Sequence, residues 1–207
     1  MSAAMPTTCA TTLRQSASMS RQRVDCSRSI RLQAEPSSGL PSPVTRSPFS
    51  SKRGMRVSAN LPGAAQVVVS DRGSMSVLSR WPTRPCGRNY PMALDEPTSR
   101  VFIGCRSSAS LSELDAATGS VVASVQTVGD TDDLFYDEAR RRLYVIGGEG
   151  FVDVIQRDGD TLRRIAQVPT RDGARTGLWV PNQSRLYVAL PARSGQPAEV
   201  RVFEAQK

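Results

Sequence analysis

Arg142-Leu143-Tyr144-Val145-Ile146 decides how this chain is read, because nearly the same five residues recur on either side of it. Arg100-Val101-Phe102-Ile103-Gly104 lies 42 residues upstream, and Arg185-Leu186-Tyr187-Val188-Ala189 lies 43 residues downstream. A fainter copy, Arg56-Val57-Ser58-Ala59, precedes the first by 44 residues. Around these copies run segments of four to seven apolar and β-branched residues, separated by Gly, Asp and Ser where the chain must turn.

Repeats of about 40–45 residues built from short strands are the mark of a β-propeller, in which each period is one four-stranded sheet. The first period shows strands b, c and d, with Asp71-Arg72-Gly73-Ser74 as a hairpin turn between Gln66–Ser70 and Val77–Trp81. The next two periods are complete, their last hairpins turning at Thr118-Gly119 and Asp158-Gly159. The last period reads Thr176–Val180, Leu186–Leu190 and Glu199–Phe203 and lacks its outer strand, for which the N-terminal stretch offers no obvious source. The expected fold is therefore all-β, a partial propeller of about three and a half four-stranded blades over residues 55–207. Two blade faces would then be open, and self-association through them is expected.

Residues 1–54 have a different texture. They hold twelve serines, five threonines and five prolines, and eight Lys/Arg against two acids. Such a stretch buries too little surface to offset its ordering entropy, so it is expected to be a disordered tail. Its Arg- and Ser-rich, acid-poor composition also resembles a transit peptide. A shifted reading frame standing where earlier blades belong is a further alternative.

Composition excludes several chemistries. The chain has no histidine, which removes Ser-His-Asp and Cys-His catalysis and His-ligated zinc. Cys9, Cys26, Cys86 and Cys105 fall in no metal-ligand spacing, and a disulfide framework is not expected of so few cysteines in so long a chain. The formal net charge of +8 is concentrated in the tail, so the propeller region is close to neutral and nucleic acid is not its expected partner. No run approaches the ~20 apolar residues of a membrane span, and the N-terminus lacks the apolar core of a secretory signal. The compartment stays open.

Propeller topology sorts the loops onto two faces. The connections between blades, and those between strands b and c, share one face. There they gather Asn89, Asp130, Asp132, Asp133 and Arg175 with Arg106 and Glu149, a polar funnel suited to a small polar ligand or a protein. Asp130, Asp132 and Asp133 stand within four residues and are the weak candidates for a hard cation, since Ca²⁺ and Mg²⁺ favour clustered oxygens. Against that, the run is no EF-hand loop, and the same acids can hydrogen-bond backbone or pair with Arg106 and Arg175. Gly147-Gly148-Glu149-Gly150 lacks the lysine of a phosphate loop and precedes no helix, so it reads as a tight b–c turn. Trp81 and Trp179 are expected between blades, and Tyr90 is the better candidate for an exposed aromatic. No cofactor is implied.

The runs Asn89-Tyr90-Pro91-Met92-Ala93-Leu94-Asp95-Glu96, Val128-Gly129-Asp130-Thr131-Asp132-Asp133 and Gly147-Gly148-Glu149-Gly150-Phe151-Val152-Asp153-Val154 resemble the bacterial YncE-type proteins, YVTN or WD-repeat-like propellers. The resemblance covers about residues 55–207. It implies a seven-bladed ring of which this chain is the C-terminal portion, relatives that are often exported, and a binding or scaffold role with no catalytic residue to transfer. Three alternatives follow. Related propellers include lactonases and quinoprotein dehydrogenases, for which Asp130, Asp132, Asp133, Glu149 and Asn89 would have to form a Ca²⁺ site. A basic tail could bind nucleic acid. A fragment of a degraded gene would have no function.

Overall fold

The computed structural model describes residues 29–30, 48–50 and 56–206. The expectations of disorder or of a transit peptide lie outside the described residues, apart from two short strands that join the sheets. β1 is Ser29–Ile30 and β2 is Pro48–Ser50. The remaining strands are β3 Arg56–Leu61, β4 Gln66–Asp71, β5 Val77–Pro82, β6 Asn89–Asp95, β7 Arg100–Cys105, β8 Ser110–Asp115, β9 Val121–Gln126, β10 Thr131–Asp137, β11 Arg142–Gly147, β12 Phe151–Asp158, β13 Thr161–Pro169, β14 Thr176–Val180, β15 Arg185–Leu190 and β16 Glu199–Glu204. One 3₁₀ turn, Pro181–Gln183, interrupts them, and no α-helix occurs among the described residues.

Four antiparallel four-stranded sheets result, in the orders β2-β3-β4-β5, β6-β7-β8-β9, β10-β11-β12-β13 and β14-β15-β16-β1. Neighbouring sheets pack through β3 on β6, β6 on β10, β10 on β14 and β9 on β13, so the sheets stand as successive blades with β6, β10 and β14 innermost. None of the described strands of the first sheet packs comparably on the fourth. The described residues form four successive propeller blades.

Two expectations are corrected here. The fourth blade does have an outer strand: β1 pairs antiparallel with β16, Ile30 opposite Val200 and Ser29 opposite Arg201. The first blade also has an inner strand, β2, paired with β3. Elements of two and three residues are too short to show a period of two, which is why the sequence hides them.

The turns repeat as faithfully as the strands. Ser99, Arg141 and Ser184 each immediately precede the b strand of their blade, and each has φ between +52° and +54°. Their carbonyls accept from the backbone N–H groups of Ala116, Arg157 and Ala205 respectively, at or just past the end of strand c. This left-handed residue closes the a–b turn and aligns it with the next hairpin, so the backbone demands it even where no glycine is supplied.

Apolar clusters fill the spaces between blades. Val67, Val69 and Trp81 of the first blade meet Met92, Val101 and Ile103 of the second. Ala93, Phe102 and Leu111 meet Leu134, Leu143 and Val145 of the third. Tyr144, Val152 and Val154 meet Trp179, Leu186 and Phe203 of the fourth, with the Tyr144 and Trp179 rings 4.8 Å apart. Each tryptophan therefore sits between blades. The cysteines supply a third correction, because Cys86, in the connection before β6, is disulfide-bonded to Cys105 at the end of β7. Both sulfurs are buried. Sequence spacing could not pair them, since only the β6–β7 register brings the two ends together.

Candidate loop-face site

Three blades contribute to one polar cluster on the loop face. Arg106, just past β7, is positioned by its own backbone N–H, which donates to the Arg88 carbonyl. Its Nη2 lies 2.9 Å from Asp130 Oδ1 and 2.8 Å from Asp132 Oδ2, both at the entry to β10. Arg175, entering β14 of the fourth blade, places Nη1 3.0 Å from Asp130 Oδ2 and Nε 3.8 Å from Asp132 Oδ2. The Arg106 guanidinium also lies over the Tyr90 ring, 4.6 Å from its centre. Two guanidiniums and two carboxylates thus bridge blades two, three and four, with Tyr90 as the floor under one of them.

Burial and charge compete in this cluster. Burial pushes the Asp132 carboxyl above its ordinary range, opposed by Arg106 and Arg175 and aided by the neighbouring Asp130. Asp133 is likewise raised, first by burial, against the hydrogen bond it accepts from the Gly177 N–H at 2.8 Å. Asp133 therefore turns away from the cluster and fastens blade three to blade four.

The close approach of the loops depends on missing side chains. A Cβ on Gly148 would lie 2.2 Å from Asp130 Oδ2, and one on Gly129 would lie 2.2 Å from Glu149 Oε1. Gly148 N–H also donates to the Asp130 carbonyl, and Glu149 Oε2 accepts from the Gly129 N–H at 2.9 Å. The Gly147–Gly150 run is thus a seat for the 128–130 loop. Asp130 itself has φ +52°, the same register at which Arg88 has φ +54°.

Of the seven residues singled out from the sequence, Arg106, Asp130, Asp132 and Arg175 converge. Glu149 is exposed and braces a loop backbone from the side. Asn89 does not reach the surface: it is fully buried, and its Nδ2 donates to Asn60 Oδ1 and to the Gln66 carbonyl, locking blade two to blade one. As a group for a hard cation, the three aspartates are divided between two arginines and a backbone amide. Among the described residues no group of three or more carboxylate or thiol side chains is arranged to hold a metal ion. No helix there is long and apolar enough to cross a membrane.

Sequence reading overlooked the buried charges between blades two and three. Arg157, on β12, donates from Nε to Glu113 Oε1 at 2.9 Å and from Nη1 to Asp95 Oδ2 at 3.2 Å. Asp153, fully buried, accepts from the Val128 N–H, Arg164 and Gln167. The available signal was a charged residue at a core-facing parity within an apolar strand. A small apolar cavity between blades three and four, bordered by Tyr144, Val168, Trp179 and Phe203, lies within the interblade core and apart from the loop-face cluster.

No protein-family model matches this chain, and no curated protein matches its sequence. Solved structures do share its fold. Hydrazine synthase of Kuenenia stuttgartiensis superposes with a TM-score of 0.63 at 14% identity, over 72% of this chain and 42% of that one. A chain of the mitotic checkpoint complex gives 0.61 at 13%, over 74% and 46%. The Cps50 (Swd1) β-propeller domain of Myceliophteria thermophila gives 0.58 at 10%, over 72% and 50%. At such identities the likeness establishes the β-propeller, and the chain spans half or less of each of these chains.

Proposed function

We propose that this chain is a non-catalytic binding scaffold of the YncE-like, YVTN-repeat kind, presenting its loop face to a protein or a small polar ligand. The observation that carries the reading is the four-membered Arg106, Asp130, Asp132, Arg175 cluster. Its parts come from three blades and are already held in place, so a partner would meet an ordered surface at little entropic cost. Arginine and aromatic groups on a rigid frame are the residues that dominate protein recognition. Nothing in the cluster supplies a nucleophile with an adjacent base.

The test compares polypeptides retained by the immobilised full chain with those retained by Tyr90→Ala and Arg175→Ala. A partner held by the parent chain and weakened about tenfold by either change, roughly 1.4 kcal/mol, supports the reading. A partner held equally by all three contradicts it. Calcium titration separates the enzymatic alternative: stoichiometric Ca²⁺ binding abolished by Asp132→Asn would favour a lactonase-like site over a scaffold.

A further inference from the structure

The spaces between successive blades share one register, and two positions in it can fill each space. One is on strand d of the earlier blade: Trp81, Val125 and Val168 lie opposite Val67, Leu111 and Val152, which hold the same place on their c strands. The other is at the end of strand c in the later blade: Ala116, Arg157 and Ala205, whose N–H groups make the repeated bond to the a–b turn. Between blades one and two the large residue is Trp81, which reaches over to Gly119, in the turn after Ala116. Between blades two and three it is Arg157, whose guanidinium reaches Glu113 and Asp95. Between blades three and four both positions are small, Val168 and Ala205. Val154 there stands at the register of Glu113, so the acid has gone with the arginine.

The apolar cavity between blades three and four is the result. Trp179 and Phe203, at the register of Tyr136 and Ile155, take back part of the space, and about 40 Å³ stays open. That is room for roughly three water-sized bodies, but apolar walls give water too few partners to settle there. One lining group asks for a partner. Trp179 is 8% exposed, and its Nε1 donates to nothing among the described residues. At the same register the Tyr136 hydroxyl interacts with Arg157 and Asp95. An unpaired buried donor is costly, so an occupant that brings an acceptor is favoured. Arg142, also at the lining, is already engaged, Nε on Gln156 Oε1 and Nη1 on the Gln206 carbonyl. An arginine-like cation is disfavoured, because it would meet Val154 where Arg157 meets Glu113.

We propose that this cavity is a binding site for a small planar aromatic molecule carrying one hydrogen-bond acceptor, a ring nitrogen or a carbonyl oxygen. The ring sits among Tyr144, Trp179 and Phe203, in the space that the neighbouring interface gives to the planar Arg157 guanidinium. Burial of its apolar surface against aromatic walls supplies the affinity, and the Trp179 indole N–H, donating to the acceptor, supplies the selectivity. The site is separate from the loop-face cluster and does not depend on it.

Titration of the full chain with pyridine and with benzene tests this, since the two rings share a shape and only pyridine has an acceptor. The readout is the indole N–H resonance of Trp179, identified as the one that Trp179→Phe deletes. Pyridine in its neutral form is expected to move it saturably, with half-saturation in the millimolar range or below. Benzene should bind without forming the hydrogen bond and move it much less. Trp179→Phe should weaken pyridine about fivefold relative to benzene. Ala205→Arg places in this interface the residue that fills its neighbour, and should abolish binding of both rings. Where that variant melts well below the parent, Ala205→Leu serves as the filling variant. A Trp179 resonance that pyridine does not move saturably overturns the proposal. So does a folded filling variant that binds as the parent does, or an unchanged pyridine-to-benzene ratio in Trp179→Phe.

Discussion

Arg157 Nε and Glu113 Oε1 lie 2.9 Å apart between blades three and two, with the glutamate wholly removed from water and the arginine 7% exposed. Arg100 Nε approaches the same oxygen at 3.2 Å, and the Arg157 guanidinium stands 6.0 Å over the Phe102 ring. Burial nevertheless wins over both arginines, leaving the Glu113 carboxyl above its usual range.

Removing Arg157 leaves that carboxyl with Arg100 alone and takes the Nη1 partner from the buried Asp95. Arg157→Ala is expected to cost about 3–5 kcal/mol, the loss typical of an uncompensated buried charge, read as a lower urea midpoint. Replacing both partners together, Arg157→Met with Glu113→Leu, should recover only part of the loss, because the buried Asp95 still loses its Nη1 partner.

The pH dependence has a definite sign. Because the folded-state value of Glu113 is raised above 4.5, its contribution is fully present below that pH and is withdrawn as the pH climbs through the elevated value. Glu113→Gln should therefore lose less stability than the parent as the pH rises from 4.5 toward 7. An identical slope in both proteins would show that Glu113 is solvated in the fold.

Asp115 behaves oppositely. Its Oδ1 accepts from Thr118 N–H, Thr118 Oγ1 and Ala117 N–H, which hold its carboxyl below the ordinary 3.8. Its stabilisation is present above 3.8 and lost as the pH falls through the depressed value. Asp115→Ala should cost about 1 kcal/mol at neutral pH and progressively less as the pH falls below 3.8. Asp71 builds the same turn with Gly73 and Ser74.

Gly119 has φ +77°, and a Cβ there would stand 2.1 Å from Trp81 Cγ. Gly119→Ala should lose about 2 kcal/mol or more through strain and displaced packing. In a Trp179→Phe background, the emission of Trp81 should shift with it.

The Cys86–Cys105 bond closes a 19-residue separation. Reduction should lower stability by about 3 kcal/mol on the loop-entropy model. A thiol titration that finds two free cysteines at these positions in the native, oxidised protein would contradict the pairing.

The repeat made the blades legible: Arg100, Arg142 and Arg185 each open a b strand, and the loop residues fall on the face that topology assigns them. Arg106, Asp130, Asp132 and Arg175 could be grouped because loop residues on one face are few. Asn89 could not be separated from them, since its burial depends on Asn60 from another blade. Glu113 and Arg157 stayed hidden because an ion pair across 44 residues leaves no local pattern. β1 and β2 stayed hidden because pairing with β16 and β3, and not their own sequence, makes them strands.

A double-mutant cycle on Arg106 and Asp132 tests most directly whether blades two and three meet at the loop face. The geometry predicts a coupling of about 1 kcal/mol between two partly buried ionic groups 2.8 Å apart. Losses that simply add, with coupling under about 0.3 kcal/mol, would contradict the cluster and the binding face built on it.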